Sequence, residues 1–198
     1  MYEGVYILIT FIAVELEENI KNRVWAYTEN VLKPCCEGGR WVRKDNYHIT
    51  LKYLGDTKEK DLAAVFKALK LVARNKEGFV LYTGSPGTFG MQKGLTARVL
   101  WLGVSGNVEK LKSIKDEIEE EMAGLGFGVD RRFSPHITLS RDVKFTGDIE
   151  AVPPLPSLGI SVRAISLMES RVEGGKRLYI PLAVYKLDNS QGAAHKQR

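Results

Sequence analysis

The sequence predicts an α+β fold with antiparallel sheets, arranged as two similar halves that each hold a small sheet backed by helices. Short apolar segments of strand length are mixed with longer segments whose apolar residues recur every three or four positions. They do not alternate strictly, as the elements of a parallel doubly wound sheet would. The tetrapeptide His-Ile-Thr-Leu occurs twice, starting at His48 and at His136, which indicates two related halves.

The composition is that of an ordinary globular protein. Of the 198 residues, 44% are hydrophobic and 27% are charged, which excludes disordered, collagen-like and fibrous classes. The longest apolar run, residues 5–14, is too short to span a bilayer and lacks the features of a signal peptide. We therefore expect a cytoplasmic protein. The net charge of +5 is compatible with a polyanionic partner such as RNA, although a solvated basic surface explains it equally well.

The first half begins with a strand over residues 5–14, because a short continuous apolar run is typical of a buried strand. A helix is predicted over residues 17–33, where apolar residues have helical spacing and a proline follows. The remaining elements of this half are a loop over 35–39, strands over 41–43 and 47–54, and a helix from a capping Asp56 to Gly78.

The second half follows a similar plan, and residues 1–187 are predicted to form a single domain. Residues 188–198 lack periodicity and are expected to form a disordered tail. The predicted elements are strands over 79–82, 98–104, 133–140, 160–168 and 178–187, a glycine-rich connection over 84–94, a helix from Asn107 to Gly124, and a proline-rich loop or edge over 151–157.

Strand alternation divides each tetrapeptide between two faces. Ile and Leu of each copy point to one face, and His and Thr point to the other. His48, Thr50 and Lys52 are therefore predicted to share the outer face, as are His136 and Thr138 in the second copy. If the two halves face each other, two imidazoles and two hydroxyls converge on one site.

These groups suit the opening of a phosphodiester without a metal or another cofactor. One imidazole can accept a proton from the attacking group while the other donates one to the leaving oxygen, because the unperturbed pKa of histidine is about 6.5. Thr50 and Thr138 can donate hydrogen bonds to the non-bridging oxygens. Lys52 or Arg141 could offset the negative charge. Arg141 has the opposite strand parity, but we place it at a strand end, where the chain can turn it inward.

A metal site is the alternative use of the two motif histidines. The third histidine, His195, lies in the predicted tail, so no clear third ligand is present and we expect no metal. Among the aromatic residues, Phe89 and Tyr53 are candidates to stack on a base, whereas Trp101 is expected in the core.

Two segments resemble the signature motifs of the 2H phosphoesterases: residues 46–56, Asn-Tyr-His-Ile-Thr-Leu-Lys-Tyr-Leu-Gly-Asp, and residues 133–141, Phe-Ser-Pro-His-Ile-Thr-Leu-Ser-Arg. Within that superfamily the chain is most similar to the RNA 2′,3′-cyclic phosphodiesterases, also called 2′-5′ RNA ligases. Ser134 departs from the pattern, since an arginine is common there. Other blocks of the family are resembled by residues 11–14, 41–43, 98–104 and 167–171.

The resemblance implies a bilobal, pseudo-twofold fold with the active site in the cleft between the lobes. It also implies hydrolysis of a 2′,3′-cyclic phosphate at an RNA end to a 2′-phosphomonoester. By the same resemblance, His48 is the proton donor to the leaving 3′ oxygen and His136 is the acceptor that activates water. The residues by themselves leave these two roles open, because the site is nearly symmetric.

Other functions remain open for the same scaffold. These are a 2′-5′ RNA ligase acting on tRNA halves, a 2′-5′ oligonucleotide phosphodiesterase, and a non-catalytic RNA-binding module. For each, we expect an RNA end as the ligand. We also expect a monomer with no membrane association and no obligatory protein partner.

Overall fold

The computed structural model describes residues 6–74, 76–92 and 96–187. The predicted tail, residues 188–198, lies outside the described residues. Within the described part of the chain, no helix is long and apolar enough to cross a membrane. The helices are α1 (Glu18–Tyr27), α2 (Leu62–Arg74) and α3 (Val108–Gly124). The strands are β1 (Ile7–Glu15), β2 (Cys36–Trp41), β3 (His48–Lys58), β4 (Phe79–Gln92), β5 (Thr96–Gly106), β6 (His136–Phe145), β7 (Gly159–Val162), β8 (Ala164–Glu173) and β9 (Lys176–Lys186).

The strands form one antiparallel path in the order β7-β4-β5-β6-β3-β1-β8-β9, with β2 paired to β6. The two central strands, β3 and β6, each begin with one copy of the tetrapeptide, and they meet at a single residue pair, Ile49 opposite Ile137. The α+β class with antiparallel strands is therefore confirmed. Two separate sheets were predicted, but the described strands are hydrogen-bonded into one continuous sheet. Among these strands, its two halves are joined only through this one residue pair of β3 and β6. The bilobal shape stays a prediction.

The helices bury one face of this sheet. Each helix presents an apolar stripe, and these stripes join the inward side chains of both central strands in one buried cluster. Fully burying a side chain such as Leu or Ile contributes about 1.5–3 kcal/mol, so the position of the motif strands is strongly fixed. Because Ile49 and Ile137 are completely buried, alternation leaves the histidine and threonine of each copy on the opposite face.

Two predicted loops are strands in the structure. Residues 36–41 form β2, because they pair with β6 from Cys36 opposite Phe145 to Trp41 opposite Ser140. The glycine-rich connection predicted from residue 84 continues β4 as far as Gln92, paired with β5 across a bulge. The partner of β2 is distant in the sequence, whereas the partner of β4 is the next strand of a hairpin. In both cases strand pairing supplies the hydrogen bonds, and the composition of the segment does not reveal it.

Two predicted boundaries are also wrong. Asp56 does not cap a helix but lies in β3 opposite Ile9, and α2 begins only at Leu62, after a short 3₁₀ turn. The long strand predicted over residues 160–168 is divided at Arg163 into β7 and β8, which pair with different neighbours.

A β-bulge occurs at the leucine of both tetrapeptides. In β3, Thr50 and Lys52 lie opposite consecutive residues of β1, which leaves Leu51 without a partner there. In β6, Leu139 is left without a partner in β5 in the same way. An extra residue in one strand reverses the alternation beyond it. Lys52 is therefore turned into the core, while Arg141 returns to the outer face.

The inward-turned Lys52 belongs to a buried ionic cluster. Its Nζ lies 2.6 Å from Oε2 of Glu119 in α3 and donates to the carbonyl of Gly128, also at 2.6 Å. Lys115 lies 3.5 Å from the other oxygen of Glu119 and donates to the carbonyl of Asp130. The cluster thus ties the strand of the first motif to the segment that leads into the second.

We expect Lys52→Met to lower the free energy of unfolding by about 3 kcal/mol, because it leaves the buried Glu119 carboxylate with Lys115 and the backbone N–H of Asp130 as its partners. Urea unfolding followed by circular dichroism measures this change. Lys112→Met is the matched control, since Lys112 pairs with Asp116 at the exposed surface of α3 and its loss should change the stability far less. Equal effects of the two substitutions would contradict a stabilising role for the cluster.

Candidate active site

His48 is held at the start of β3 by two hydrogen bonds. Its Nδ1 lies 2.7 Å from the backbone carbonyl of Asn46, and its Nε2 lies 2.9 Å from Oγ1 of Thr50. A carbonyl can only accept, so the proton of the neutral ring is placed on Nδ1. Nε2 is then an acceptor that receives the Thr50 hydroxyl, and it is the nitrogen that exchanges protons on the outer face.

His136 is held in the same way at the start of β6. Its Nδ1 lies 2.6 Å from the backbone carbonyl of Ser134, again two residues earlier in the chain. Nδ1 therefore carries the proton, and Nε2 is the acceptor of the neutral ring. The two motifs thus prepare their histidines with the same tautomer, although Ser134 departs from the expected family pattern, because only its backbone is used in this bond.

The register of the central strands brings the two motifs together. Around the antiparallel pair of Ile49 and Ile137, the next residues on one side are His48 and Thr138, and those on the other side are Thr50 and His136. All four side chains leave the strands on the face opposite the buried isoleucines. The two imidazoles are near enough for the charge of His136 to act on His48. The predicted convergence of two histidines is present in the structure.

Aromatic rings pack around both histidines. The ring of His48 lies 4.9 Å from Phe11 and 5.1 Å from Tyr179, measured between ring centroids. The ring of His136 lies 5.2 Å from Phe89 and 6.2 Å from Trp101. The sequence identified Phe89 but missed Tyr179, because β9 reaches the site only through its pairing with β8. No local signal in the sequence marks this tyrosine.

The prediction that Trp101 lies in the core is wrong. Trp101 is only partly buried, and it lies opposite Thr138, on the face that carries the site. Its ring lies over Gly87 in β4, where an added Cβ would come within 2.2 Å of the indole. The glycine therefore makes room for the ring, and it accounts for part of the glycine-rich sequence that suggested a loop.

Of the other residues predicted at the site, Arg141 and Tyr53 lie close to it and Lys52 does not. Lys52 is not at the site, because the bulge at Leu51 turns it into the core, where it pairs with Glu119. Arg141 is exposed and near enough to His136 for its charge to act on the ring. It reaches this face through the second bulge, not at a strand end, since β6 continues to Phe145. Tyr53 is 65% exposed and lies opposite Phe11, so it borders the site.

Burial dominates the electrostatics of both imidazoles. Desolvation is the main reason that the pKa of His48 is lowered to about 4, and the charges of His136 and Lys21 lower it further. The Asn46 carbonyl and the charge of Glu15 act in the opposite direction. Desolvation also lowers the pKa of His136, opposed by the Ser134 carbonyl and assisted by Arg141. Both rings are therefore neutral at pH 7 in the free protein. A bound anion would favour the protonated form of either ring.

Within residues 6–74, 76–92 and 96–187, no three His, Cys, Asp or Glu side chains are grouped so that they could hold a metal ion. The expectation of a metal-independent reaction stays a prediction.

This fold, with its two histidine motifs on adjacent strands, defines the class of the protein as a 2H phosphoesterase. The chain belongs to the LigT-like phosphoesterase family. A sequence model described as "LigT like Phosphoesterase" matches residues 14–101 and again residues 102–176. Each match contains one copy of the tetrapeptide, in agreement with the two related halves.

Individual relatives cover most of the chain. A Thermotoga maritima protein named RNA 2′,3′-cyclic phosphodiesterase is 32% identical over 140 residues, which are 70% of this chain and 72% of the relative. The protein of that name from Escherichia coli is 32% identical over 181 residues, 89% of this chain and 95% of the relative. The crystal structure of E. coli LigT complexed with 3′-AMP matches with a TM-score of 0.77 at 26% identity, over 92% of this chain and 99% of that one.

We expect the neutral His48 to make folding sensitive to acid. Its pKa is lowered in the folded protein, so the unfolded chain binds more protons and stability falls as the pH drops from about 6.5 toward about 4. The unfolding free energy of the wild type minus that of His48→Gln should therefore fall as the pH drops over this range. Urea unfolding at each pH measures this difference. A constant difference would show that His48 is not held neutral.

Proposed function

We propose that this protein is an RNA 2′,3′-cyclic phosphodiesterase, which hydrolyses a terminal cyclic phosphate to a 2′-phosphomonoester. The observation that carries the proposal is the meeting of two His-x-Thr segments at Ile49 and Ile137, with both imidazoles on the open face. The relatives from T. maritima and E. coli, which carry this name at 32% identity, support the same reaction.

The two histidines share the proton transfers. His136, neutral at Nε2, accepts a proton from the water that attacks phosphorus. The bond between phosphorus and the 3′ oxygen then breaks, and protonated His48 gives its Nε2 proton to that oxygen. The phosphate remains on the 2′ oxygen. His48 is neutral in the free protein, so the negative charge of the bound phosphodiester has to favour its protonated form before the reaction.

The hydroxyls of Thr50 and Thr138 stabilise the charge that develops on the non-bridging oxygens. The Thr50 hydroxyl donates to Nε2 of the neutral His48 ring and is released toward the phosphate when that nitrogen is protonated. Thr138 lies beyond Ile137 on the same face. Arg141 adds a positive charge at the side of His136. Donors placed in advance in a partly desolvated site are worth more than the same groups in water. Lys52 has no part in this mechanism, because its ammonium group is bound in the core.

The aromatic residues provide surfaces for the nucleoside. Phe89, which packs against His136, and Tyr53, which borders the site next to Phe11, can each stack on a base. The ligand is therefore an RNA end that carries the cyclic phosphate. We further propose that the protein acts as a cytoplasmic monomer without a metal, a nucleotide cofactor or an obligatory protein partner.

The reaction is tested by ³¹P NMR of a short RNA that ends in a 2′,3′-cyclic phosphate, incubated with the protein in EDTA. We expect conversion to a 2′-phosphate. His48→Ala and His136→Ala should each reduce the rate by about 10²–10⁴-fold, the usual loss for a general acid or base.

The pattern of products separates the alternatives. A 3′-phosphate would contradict the assignment of the leaving oxygen, and loss of activity in EDTA would contradict a metal-independent reaction. An unchanged cyclic phosphate alongside cleavage of 2′-5′ linked RNA would favour the phosphodiesterase alternative, and joined RNA ends would favour ligation. RNA binding without any turnover would favour a non-catalytic module.

A further inference from the structure

The proposed reaction requires a protonated His48, yet most of its surroundings oppose the charge. Phe11 and Tyr179 pack against the ring and help to bury it. The positive charge of Lys21 in α1 and the second imidazole, His136 in β6, act against protonation. Among the charged groups of the described residues that act on His48, the one anion is Glu15 in β1.

Glu15 is placed next to His48 by strand pairing. It is the last residue of β1 and lies directly opposite His48, the first residue of β3. Side chains of directly opposite residues leave an antiparallel pair on the same face, with their Cβ atoms about 4.5–5.5 Å apart. The carboxyl group of Glu15 therefore emerges beside the imidazole, on the face that carries the site.

Ser166 fixes this carboxyl group from the other side. Ser166 lies in β8, is 1% exposed, and donates a hydrogen bond of 2.6 Å from its hydroxyl to Oε1 of Glu15. Its neighbour in β1 is Ala13, two residues before Glu15 and on the same face. Both ring nitrogens of His48 already have other partners, Asn46 and Thr50. The carboxylate therefore acts on the ring through space.

We propose that Glu15, held by Ser166, is a positioning residue that acts through His48: its negative charge stabilises the protonated imidazole which donates to the leaving oxygen. Glu15 itself neither accepts nor releases a proton in the reaction. This inference rests on the proposed function for the role of His48 as the acid. The pairing of carboxylate and imidazole is independent of the substrate.

Glu15→Gln isolates the charge, because the glutamine Oε1 can still accept the hydrogen bond from Ser166. We expect the pKa of His48 to fall by about half to one unit, since a carboxylate at this range interacts with the imidazolium by roughly that amount. An imidazole ¹³C–¹H NMR titration in saturating sodium sulfate measures the pKa of His48 in both proteins. Sulfate is used because it supplies an anion at the site and does not itself titrate in this pH range. His48→Ala assigns the signal.

The matched control is Glu17→Gln, which removes the same charge from an exposed position just beyond the strand. It should leave the pKa of His48 unchanged. With the cyclic-phosphate RNA, Glu15→Gln should move the basic limb of the kcat profile to lower pH by the same half to one unit, while KM changes less than twofold. The acidic limb, which reports His136, should not move.

An unchanged pKa of His48 in a folded Glu15→Gln protein would overturn the inference. If that variant does not fold, Ser166→Ala provides the second test, because it releases the carboxylate and should lower the pKa of His48 by a smaller amount; no change there would also overturn it. A shifted pKa without hydrolysis of the cyclic phosphate would refute the proposed function but leave the pairing of Glu15 with His48 intact.

Discussion

The site depends on one antiparallel contact between the two halves of the chain, Ile49 opposite Ile137. Both isoleucines are fully buried, so neither strand can slip by one residue without moving an apolar side chain into solvent. An antiparallel pair is related by a local twofold axis. The histidine of each motif is consequently placed beside the threonine of the other, and the two motifs together form one site.

Burial sets the protonation of both histidines. The carbonyls of Asn46 and Ser134 fix the tautomers, and the surrounding aromatic rings keep both imidazoles neutral. A neutral pair can accept protons but has none to donate from Nε2. In the proposed reaction the bound phosphodiester favours a proton on His48, and the proposed role of Glu15 is to assist that protonation. Under the proposed mechanism, His48 is the acid and His136 is the base of a nearly symmetric site.

The sequence was sufficient for the fold class and for the histidine and threonine residues of the site, because the repeat and its alternation are local properties. It misplaced Lys52 since a bulge at Leu51 reverses the alternation, and bulges depend on pairing with another strand. Trp101 was assigned to the core on its size, whereas Gly87 on the adjacent strand gives it space on the open face. Tyr179 had no local signal at all. Each of these errors concerns a neighbour on another strand.

We propose that the two histidines act as one acid–base unit on a single phosphate. The most direct test compares kcat of His48→Ala, His136→Ala and the double variant on the cyclic-phosphate RNA in EDTA. Residues that act as a unit give strongly non-additive losses. We expect the double variant to be no more than about tenfold slower than the slower single variant. Losses that multiply, as those of two independent residues do, would contradict it.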